Sequence, residues 1–305
     1  MTKIVVFPGQ GSQVVGMGKD LYENSSDARA IFDAADAALG FSITKICFEG
    51  PAEDLMLTKH TQPAILTVSY ALWNELSKRH PIDGVKYMAG HSLGEYTALV
   101  ASGAVDFAEA VRAVHQRGSF MQDAVEFGKG SMAAVIDVPR DTVYKICDES
   151  GHIVSPANFN SPKQIVISGI AEGVDWVVNK LKTENKKAMK LKVSAPFHSE
   201  LMKPAETRMK EVLWGMNLNG FRTEVISNVT ARPFTSIEEI RPLLTSQICG
   251  AVNWEDSILF AHRSGVTELI EVGPGNVLAK LAGQIVPDMK TRNVANWTDI
   301  QNFGA

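Results

Sequence analysis

Apolar and polar positions along the chain follow two patterns: short apolar runs, and longer stretches with helical spacing. The apolar run at residues 4–7 ends at Pro8-Gly9, which predicts a buried strand leading into a loop. At residues 62–79, apolar side chains recur every three or four positions, as they do on one face of a helix. Residues 85–89 predict another strand, and the small residues at 93–101 predict a helix directly after it.

A further predicted helix carries a charge where an apolar residue is expected. Asp106 and Glu109 have the spacing of a capping box, and the apolar stripe that follows runs to about Ala124. The position that should continue this stripe between Val114 and Met121 is Arg117. A guanidinium on an apolar helix face needs an anionic or polar partner.

The pattern changes after Gly128-Lys129-Gly130. The predicted order is a strand at 132–138, a helix at 139–149, strands at 153–157 and 164–168, a helix at 172–183 and a strand at 188–193. This β-α-β-β-α-β order is typical of a ferredoxin-like domain. We therefore predict an α/β protein whose core is formed by residues 1–127 and 196–305, with a ferredoxin-like insert at residues 128–195.

Composition excludes several classes of protein. The 305 residues contain 30 Lys and Arg against 34 Asp and Glu, so no excess of basic charge favours nucleic-acid binding. No apolar run approaches the ~18 residues of a membrane span. Cys47, Cys147 and Cys249 are far apart and show no metal-ligand spacing, which argues against disulfides and zinc. We expect a cytoplasmic protein with no metal, no nucleic-acid partner and no membrane partner.

The strongest chemical motif is Gly90-His91-Ser92-Leu93-Gly94, which fits G-x-S-x-G between a predicted strand and a predicted helix. In a nucleophile elbow, the serine sits on a sharp turn between small residues and its hydroxyl is exposed. The alternative is an ordinary glycine turn. The strand–turn–helix context favours Ser92 as a nucleophile.

A serine hydroxyl needs a base, and His198 is the preferred candidate because it follows the predicted insert at a domain junction. His91 adjoins Ser92, but neighbouring side chains at an elbow point in different directions. No Asp stands out as a partner for His198, so a triad and a dyad held by a backbone carbonyl both remain open. The other histidines have ordinary surface settings: His60, His80, His115, His152 and His262.

Two further features have alternative interpretations. Arg117 could form a structural ion pair with an internal carboxylate, or it could bind a substrate carboxylate with its planar fork. The loop Gly9-Gln10-Gly11-Ser12-Gln13 lacks the spacing of a P-loop and of G-x-G-x-x-G. A loop that supplies a backbone N–H to an oxyanion hole is the better interpretation.

Together, these segments resemble a known family, the malonyl-CoA:acyl carrier protein transacylases, which are stand-alone acyltransferases of bacterial fatty acid synthesis. The resemblance spans nearly the whole chain. It rests on six motifs in the same order: Phe7-Pro8-Gly9-Gln10-Gly11-Ser12-Gln13, Gly90-His91-Ser92-Leu93-Gly94-Glu95, Arg117-Gly118, Asn158-Phe159-Asn160-Ser161-Pro162, Pro196-Phe197-His198-Ser199 and Glu271-Val272-Gly273-Pro274-Gly275.

The resemblance implies an α/β-hydrolase-like core with a parallel sheet and a ferredoxin-like insert. It implies that Ser92 is the acylated nucleophile, that His198 is its base and that the main-chain carbonyl of Gln247 orients His198. The backbone N–H groups of Gln10 and Leu93 would form the oxyanion hole.

We also expect a set of substrate-binding residues. Arg117 would pair with the malonyl carboxylate, and Phe197 agrees with malonyl selectivity in related polyketide acyltransferases, although Ala195 and Pro196 depart from their motif. The remaining members of the predicted set are His91, Asn158, Asn160 and Met121.

The implied reaction is ping-pong transfer of a malonyl group from malonyl-CoA to the phosphopantetheine thiol of acyl carrier protein. Coenzyme A and phosphopantetheine are then substrate arms, so we expect no cofactor, and we expect a monomer. The alternatives are a discrete acyltransferase serving a polyketide synthase in trans, a serine thioesterase or lipase-like hydrolase, and a non-catalytic binding domain with the same fold.

Overall fold

The computed structural model describes residues 1–193 and 195–304. The strands are β1 (Lys3–Phe7), β2 (Val85–Gly90), β3 (Gly130–Ile136), β4 (Val154–Ser161), β5 (Gln164–Ile170), β6 (Lys187–Lys190), β7 (Glu224–Val225), β8 (Glu268–Val272) and β9 (Lys290–Val294).

The helices before the second sheet are α1 (Lys19–Asn24), α2 (Ser26–Leu39), α3 (Ile43–Glu49), α4 (Ala52–Met56), α5 (Thr58–Arg79), α6 (Leu93–Ala101) and α7 (Phe107–Asp123). The later helices are α8 (Arg140–Glu149), α9 (Ala171–Thr183), α10 (Lys203–Gly215), α11 (Ile240–Gln247), α12 (Trp254–Arg263), α13 (Val277–Ile285) and α14 (Trp297–Gln301), with short 3₁₀ turns at Glu200–Met202 and Ile237–Glu239. Within the described residues, no helix combines the length and apolar character needed to cross a bilayer.

A parallel sheet lies at the centre of the larger part of the molecule. Its strand order is β7-β2-β1-β8-β9, and every neighbouring pair is parallel. On β1, Val5 and Phe7 belong to one apolar core while Ile4 and Val6 belong to another. Because side chains alternate across a strand, helices cover both faces of this sheet, which explains the continuous apolar run in the sequence.

A second sheet is antiparallel, with the order β4-β5-β3-β6. Its strands and the helices α8 and α9 follow one another as β-α-β-β-α-β along the chain. They enclose a third apolar core that includes Val135, Ile167 and Val177. The protein is therefore mixed α/β, with a parallel sheet and a separate antiparallel sheet.

The predicted elements are present, with differences at their ends. The helix predicted at 62–79 begins at Thr58, and the strand predicted at 153–157 extends to Ser161 as part of a hairpin with β5. The strand predicted at 188–193 is wrong at its end, because β6 stops at Lys190. β6 is an edge strand, and its neighbour among the described strands is β3. Beyond it, Leu191 and Val193 line the cleft described below.

The helices α5 and α7 approach each other closely at Gly118. A Cβ on this residue would lie 2.5 Å from the backbone oxygen of Thr58 and 2.7 Å from the Cα of Lys59. A backbone atom cannot move aside as a flexible side chain can. Gly118 thus sets the spacing of the two helices that carry Gln62 and Arg117.

We expect Gly118→Ala to lower the free energy of unfolding by about 1–3 kcal/mol, because the added methyl overpacks the contact between α5 and α7. Urea denaturation of both proteins measures this loss. The matched control is Gly283→Ala in α13, where an added Cβ meets no atom within 4 Å. The control should leave stability unchanged or raise it by up to ~1 kcal/mol. Equal effects of the two substitutions would contradict the packing argument.

Candidate active site

Ser92 lies on the turn between β2 and α6, with a backbone φ of 52°. A Cβ on Gly90 would lie 1.9 Å from the backbone of Gly94, and a Cβ on Gly94 would lie 2.1 Å from the carbonyl oxygen of Phe7. No side-chain carbon can occupy such positions, so both residues must be glycine. This turn presents the Ser92 hydroxyl to a cleft, as the G-x-S-x-G pattern predicts.

The cleft encloses about 590 Å³, including solvent at its mouth. Most of the predicted site residues line it: Ser92, His198, Gln10, Leu93, Arg117, His91, Asn158, Phe197 and Met121. Two predicted residues do not. Gln247 is fully buried behind Arg117, and Asn160 lies beside His91, whose Nε2 is 2.9 Å from the Asn160 Oδ1.

His198 contacts Ser92 through its ring, with 2.7 Å between Nε2 and the Ser92 Oγ. Its Nδ1 lies 2.9 Å from the carbonyl oxygen of Gln247 and 3.0 Å from that of Gly250. Because both of these oxygens accept, Nδ1 carries the proton and Nε2 is free to accept from the serine. Among the described residues no carboxylate contacts this ring, so the arrangement is a dyad oriented by backbone carbonyls.

The ring is held neutral by its surroundings. Burial, together with the nearby charge of Arg117, lowers the pKa of His198 to about 3. A neutral imidazole beside a serine hydroxyl can accept its proton at any physiological pH. The pair is therefore suited to general-base activation of Ser92.

Arg117 projects from α7 into the same cleft and is only 1% exposed. Its Nη1 donates to the Gln62 Oε1 at 2.8 Å, and its Nη2 donates to the Gln247 Oε1 at 2.8 Å and to the Ser92 Oγ at 3.1 Å. Its Nε has no hydrogen-bond partner, and no ion pair forms with any carboxylate of residues 1–193 and 195–304. The structural ion pair considered from the sequence is thus absent from the described part of the chain.

The charge of Arg117, which no described carboxylate contacts directly, defines what this site can bind. Burial lowers the pKa of Arg117, yet a guanidinium remains protonated in proteins. A buried cation held only by neutral amide and hydroxyl oxygens favours an anionic ligand. Beside a nucleophilic serine, that ligand would be a carboxylate at the far end of an acyl group.

Two backbone N–H groups are available near the serine. Leu93 is the first residue of α6, where N–H groups have no partner within the helix, and Gln10 lies in the loop after β1. Neither N–H donates a hydrogen bond to another described residue. Both residues line the cleft with Ser92, so the two groups are free to bind an oxyanion.

Three site residues were not predicted from the sequence: Gln62, Glu95 and Asn228. Asn228 accepts from the Ser92 N–H through Oδ1 at 2.7 Å and donates to the carbonyl oxygen of Gly90 through Nδ2 at 2.7 Å. It therefore braces the turn from a distant part of the chain. Glu95 could have been identified from the sequence as a charged residue within a predicted helix of small residues. Nothing in the sequence around Asn228 distinguishes it.

A second cleft adjoins the first and encloses about 820 Å³. Gln10, His91, Asn158 and Leu191 line both clefts, and Asn160 lines the second. Its walls come from the loop after β1, from the antiparallel sheet and from α13. No cluster of metal-ligating side chains occurs in the part of the chain that the structure describes.

A serine on a tight strand–helix turn, hydrogen-bonded to a histidine in a cleft whose lining carries free N–H groups, is typical of a class of acyl-transfer enzymes. The family model described as acyl transferase domain matches residues 4–284. The malonyl CoA-acyl carrier protein transacylase of Bacillus subtilis is 44% identical over 304 residues, covering 97% of this chain and 94% of the relative. This chain belongs to the malonyl-CoA:acyl carrier protein transacylase family.

Solved structures agree with this assignment. The malonyl CoA-acyl carrier protein transacylase of Coxiella burnetii has a TM-score of 0.96 at 36% identity, covering 99% of this chain and 96% of that chain. A malonyl-transacylase solved in complex with its type II polyketide acyl-carrier protein has a TM-score of 0.95 at 38% identity, with 99% and 98% covered.

The buried histidine makes stability depend on pH. The pKa of His198 falls from 6.5 in the unfolded chain to about 3 in the folded protein, so only the unfolded chain binds this proton between those values. The destabilisation that comes from His198 is therefore absent above pH 6.5 and grows as the pH falls towards 3. At pH 5 we expect a loss of about 2 kcal/mol from this residue.

The measurement is urea denaturation of the wild type and of His198→Asn at pH 7.5 and pH 5. Carboxylates and other histidines titrate in both proteins, so their effects cancel in the comparison. The stability difference between the two proteins should shift by about 2 kcal/mol in favour of the variant at pH 5. An unchanged difference would show that His198 is not held neutral by the fold.

Proposed function

We propose that this protein transfers malonyl groups from malonyl-CoA to the phosphopantetheine thiol of acyl carrier protein for fatty acid synthesis. The observation that carries the proposal is the placement of Arg117, 3.1 Å from the hydroxyl of Ser92. This buried cation forms an ion pair with no carboxylate in the described part of the chain. A plain thioesterase or lipase has no need of such a charge. A malonyl group carries a carboxylate one methylene from its thioester carbon. Arg117 can therefore bind the carboxylate while Ser92 attacks the carbon.

In the first half-reaction, the Ser92 Oγ bonds to the thioester carbon while its proton passes to the Nε2 of His198. The negative oxygen of the tetrahedral intermediate accepts hydrogen bonds from the N–H groups of Gln10 and Leu93. The carbon–sulfur bond then breaks, and the departing sulfur of coenzyme A takes the proton from His198. Ser92 is left as a malonyl ester.

In the second half-reaction, the thiol of the carrier's phosphopantetheine arm attacks the ester carbon and gives its proton to His198. The carbon–oxygen bond breaks, and Ser92 regains a proton from the same nitrogen. Arg117 holds the malonyl carboxylate throughout, and Phe197 and Met121 form apolar walls of the cleft. The ester is thereby fixed in one orientation for the incoming thiol.

Both thiols arrive on the same kind of arm, and the second cleft has the position to receive it. Asn158 and His91 line both clefts, and Asn160, in contact with His91, lines the second. The side-chain amides of Asn158 and Asn160 and the imidazole of His91 can form hydrogen bonds with the amide groups of a pantetheine arm. The arms belong to the substrates, so the reaction needs neither a resident cofactor nor a metal.

The proposal also covers the domain organisation of the chain, its oligomeric state and its partners. The order of the antiparallel sheet and its two helices supports a ferredoxin-like insert at residues 128–195 within an α/β-hydrolase-like core of residues 1–127 and 196–305. We also propose that the protein acts as a monomer in the cytoplasm. Malonyl-CoA and acyl carrier protein are the partners, without nucleic acid or membrane.

A second candidate differs only in the carrier protein. A related malonyl-transacylase forms a complex with a type II polyketide acyl-carrier protein. The same site chemistry would serve a polyketide synthase in trans. Transfer assays with carriers of both kinds separate the two functions.

The direct test is incubation with radiolabelled malonyl-CoA, followed by isolation of the labelled peptide and addition of holo carrier protein. We expect label on Ser92 that moves to the carrier thiol, and Ser92→Ala should remove at least 99% of it because no other hydroxyl replaces the nucleophile. Rapid release of free malonate without a carrier would indicate a hydrolase. Absence of label on the wild type would indicate a binding domain.

Arg117→Ala tests the carboxylate contact separately. We expect kcat/KM for malonyl-CoA to fall at least a hundredfold, since a charge-assisted contact is lost, while acetyl-CoA, which has no carboxylate, is spared or improved. Steady-state transfer of both acyl groups to the same carrier measures the difference. Equal losses with both substrates would remove Arg117 from acyl recognition.

A further inference from the structure

Glu95 is a buried carboxyl that the proposed reaction does not use. It lies one turn after Ser92 on α6 and has no exposed surface. Its Oε2 accepts from the Nε2 of Gln247 at 2.7 Å and from the backbone N–H of Asn228 at 3.0 Å, while its Oε1 has no hydrogen-bond partner. Within the described residues, it forms no ion pair with Arg117 or with any other cation.

The contact with Glu95 determines which way the Gln247 amide points. The Nε2 of Gln247 donates to Glu95 and, at 3.0 Å, to the carbonyl oxygen of Ser92. The Oε1 is thereby left to accept from Arg117 at 2.8 Å. The reversed amide would place an oxygen against two acceptors and an NH₂ group against a guanidinium, so the observed orientation is strongly preferred.

The series of contacts from Glu95 through Gln247 to Arg117 leaves the guanidinium able to bind an anionic substrate. A carboxylate bonded directly to Arg117 would neutralise it and compete with the substrate. The amide of Gln247 orients the guanidinium without neutralising it, and Glu95 lies one side chain further away. The acid therefore supports the orientation of Arg117 and leaves its charge available.

We propose that Glu95 is a positioning residue that acts through the Gln247 amide to hold Arg117 ready for the carboxylate of the acyl substrate. This inference rests on the proposed malonyl transfer. It adds a requirement of that site: discrimination between acyl groups depends on a residue that touches neither the substrate nor Arg117.

The role does not depend on the ionisation of Glu95. Burial raises the pKa of Glu95 to about 7, so neutral and charged forms both occur near neutrality. A proton on Oε1, which has no partner, leaves Oε2 free to accept from Gln247 and Asn228 in either form. For the same reason, Glu95→Gln keeps an acceptor in the required place, whereas Glu95→Met removes it at similar volume.

The experiment measures kcat/KM for malonyl-CoA and for acetyl-CoA in the wild type, Glu95→Met and Glu95→Gln. We expect Glu95→Met to lower the malonyl-to-acetyl ratio about tenfold, the size of one lost hydrogen bond in a buried network, and Glu95→Gln to stay within about threefold of the wild type. The matched control is Glu75→Met, another buried Glu, placed on α5 with contacts to Ser25 and Arg79. It should change stability without changing the ratio.

A double-mutant cycle tests whether the effect passes through Gln247. Gln247→Met keeps the backbone carbonyl that orients His198 and should lower the ratio by itself; adding Glu95→Met should then change the ratio less than twofold. If Glu95→Met does not fold, a wild-type ratio in Gln247→Met still overturns the proposal, because Glu95 is argued to act only through that amide. Wild-type ratios in Glu95→Met, low ratios in Glu95→Gln, or additive losses in the cycle also overturn the proposal.

The same measurements separate this inference from the proposed function. A wild-type protein that takes no malonyl group onto Ser92 overturns the function itself. A wild-type protein that does so, beside a Glu95→Met variant of unaltered selectivity, overturns only the role of Glu95.

Discussion

The guanidinium of Arg117 is buried in direct contact with no carboxylate of the described residues, and the site is organised around the cost of that charge. Desolvating a cation is unfavourable unless strong acceptors surround it. Here the acceptors are the amide oxygens of Gln62 and Gln247, and the face of Tyr96 lies 5.5 Å from the guanidinium carbon. Each of these groups is neutral. Glu95 stabilises the cation only through space, from beyond the Gln247 amide. The compensation is therefore incomplete, and the remaining attraction for an anion is what the proposed substrate uses.

The reacting pair depends on backbone geometry that the rest of the fold enforces. Ser92 and His198 both have positive φ, at 52° and 56°, which side-chain-bearing residues seldom adopt. The serine turn is held by glycines that cannot be replaced and by the side chain of Asn228. The histidine is held by two carbonyl oxygens at the end of α11. Strain at both positions is sustained because several distant segments fix each one.

The sequence predicted the elements and much of the site for reasons that lie in local pattern. The buried strand at β1 followed from a continuous apolar run, and the unusual position of Arg117 followed from a helical stripe. The contacts of Arg117 could not be predicted, because Gln62 and Gln247 are ordinary polar residues 55 and 130 positions away. The contacts of Asn228 with Ser92 and Gly90 could not be predicted either, because these residues are distant in the sequence. Its partners are defined only once β2 and α6 are placed.

The way His198 is oriented also bears on the reversibility of the proposed reaction. A carboxylate partner would stabilise the imidazolium strongly, whereas two carbonyl dipoles orient the ring and retain a proton only weakly. The thiols of coenzyme A and of the carrier end in the same chemical group. A base that releases its proton readily can pass it to the leaving group of either thioester. The protein, as a catalyst, leaves the equilibrium unchanged, so net flux follows the concentrations of both thioesters and both free thiols.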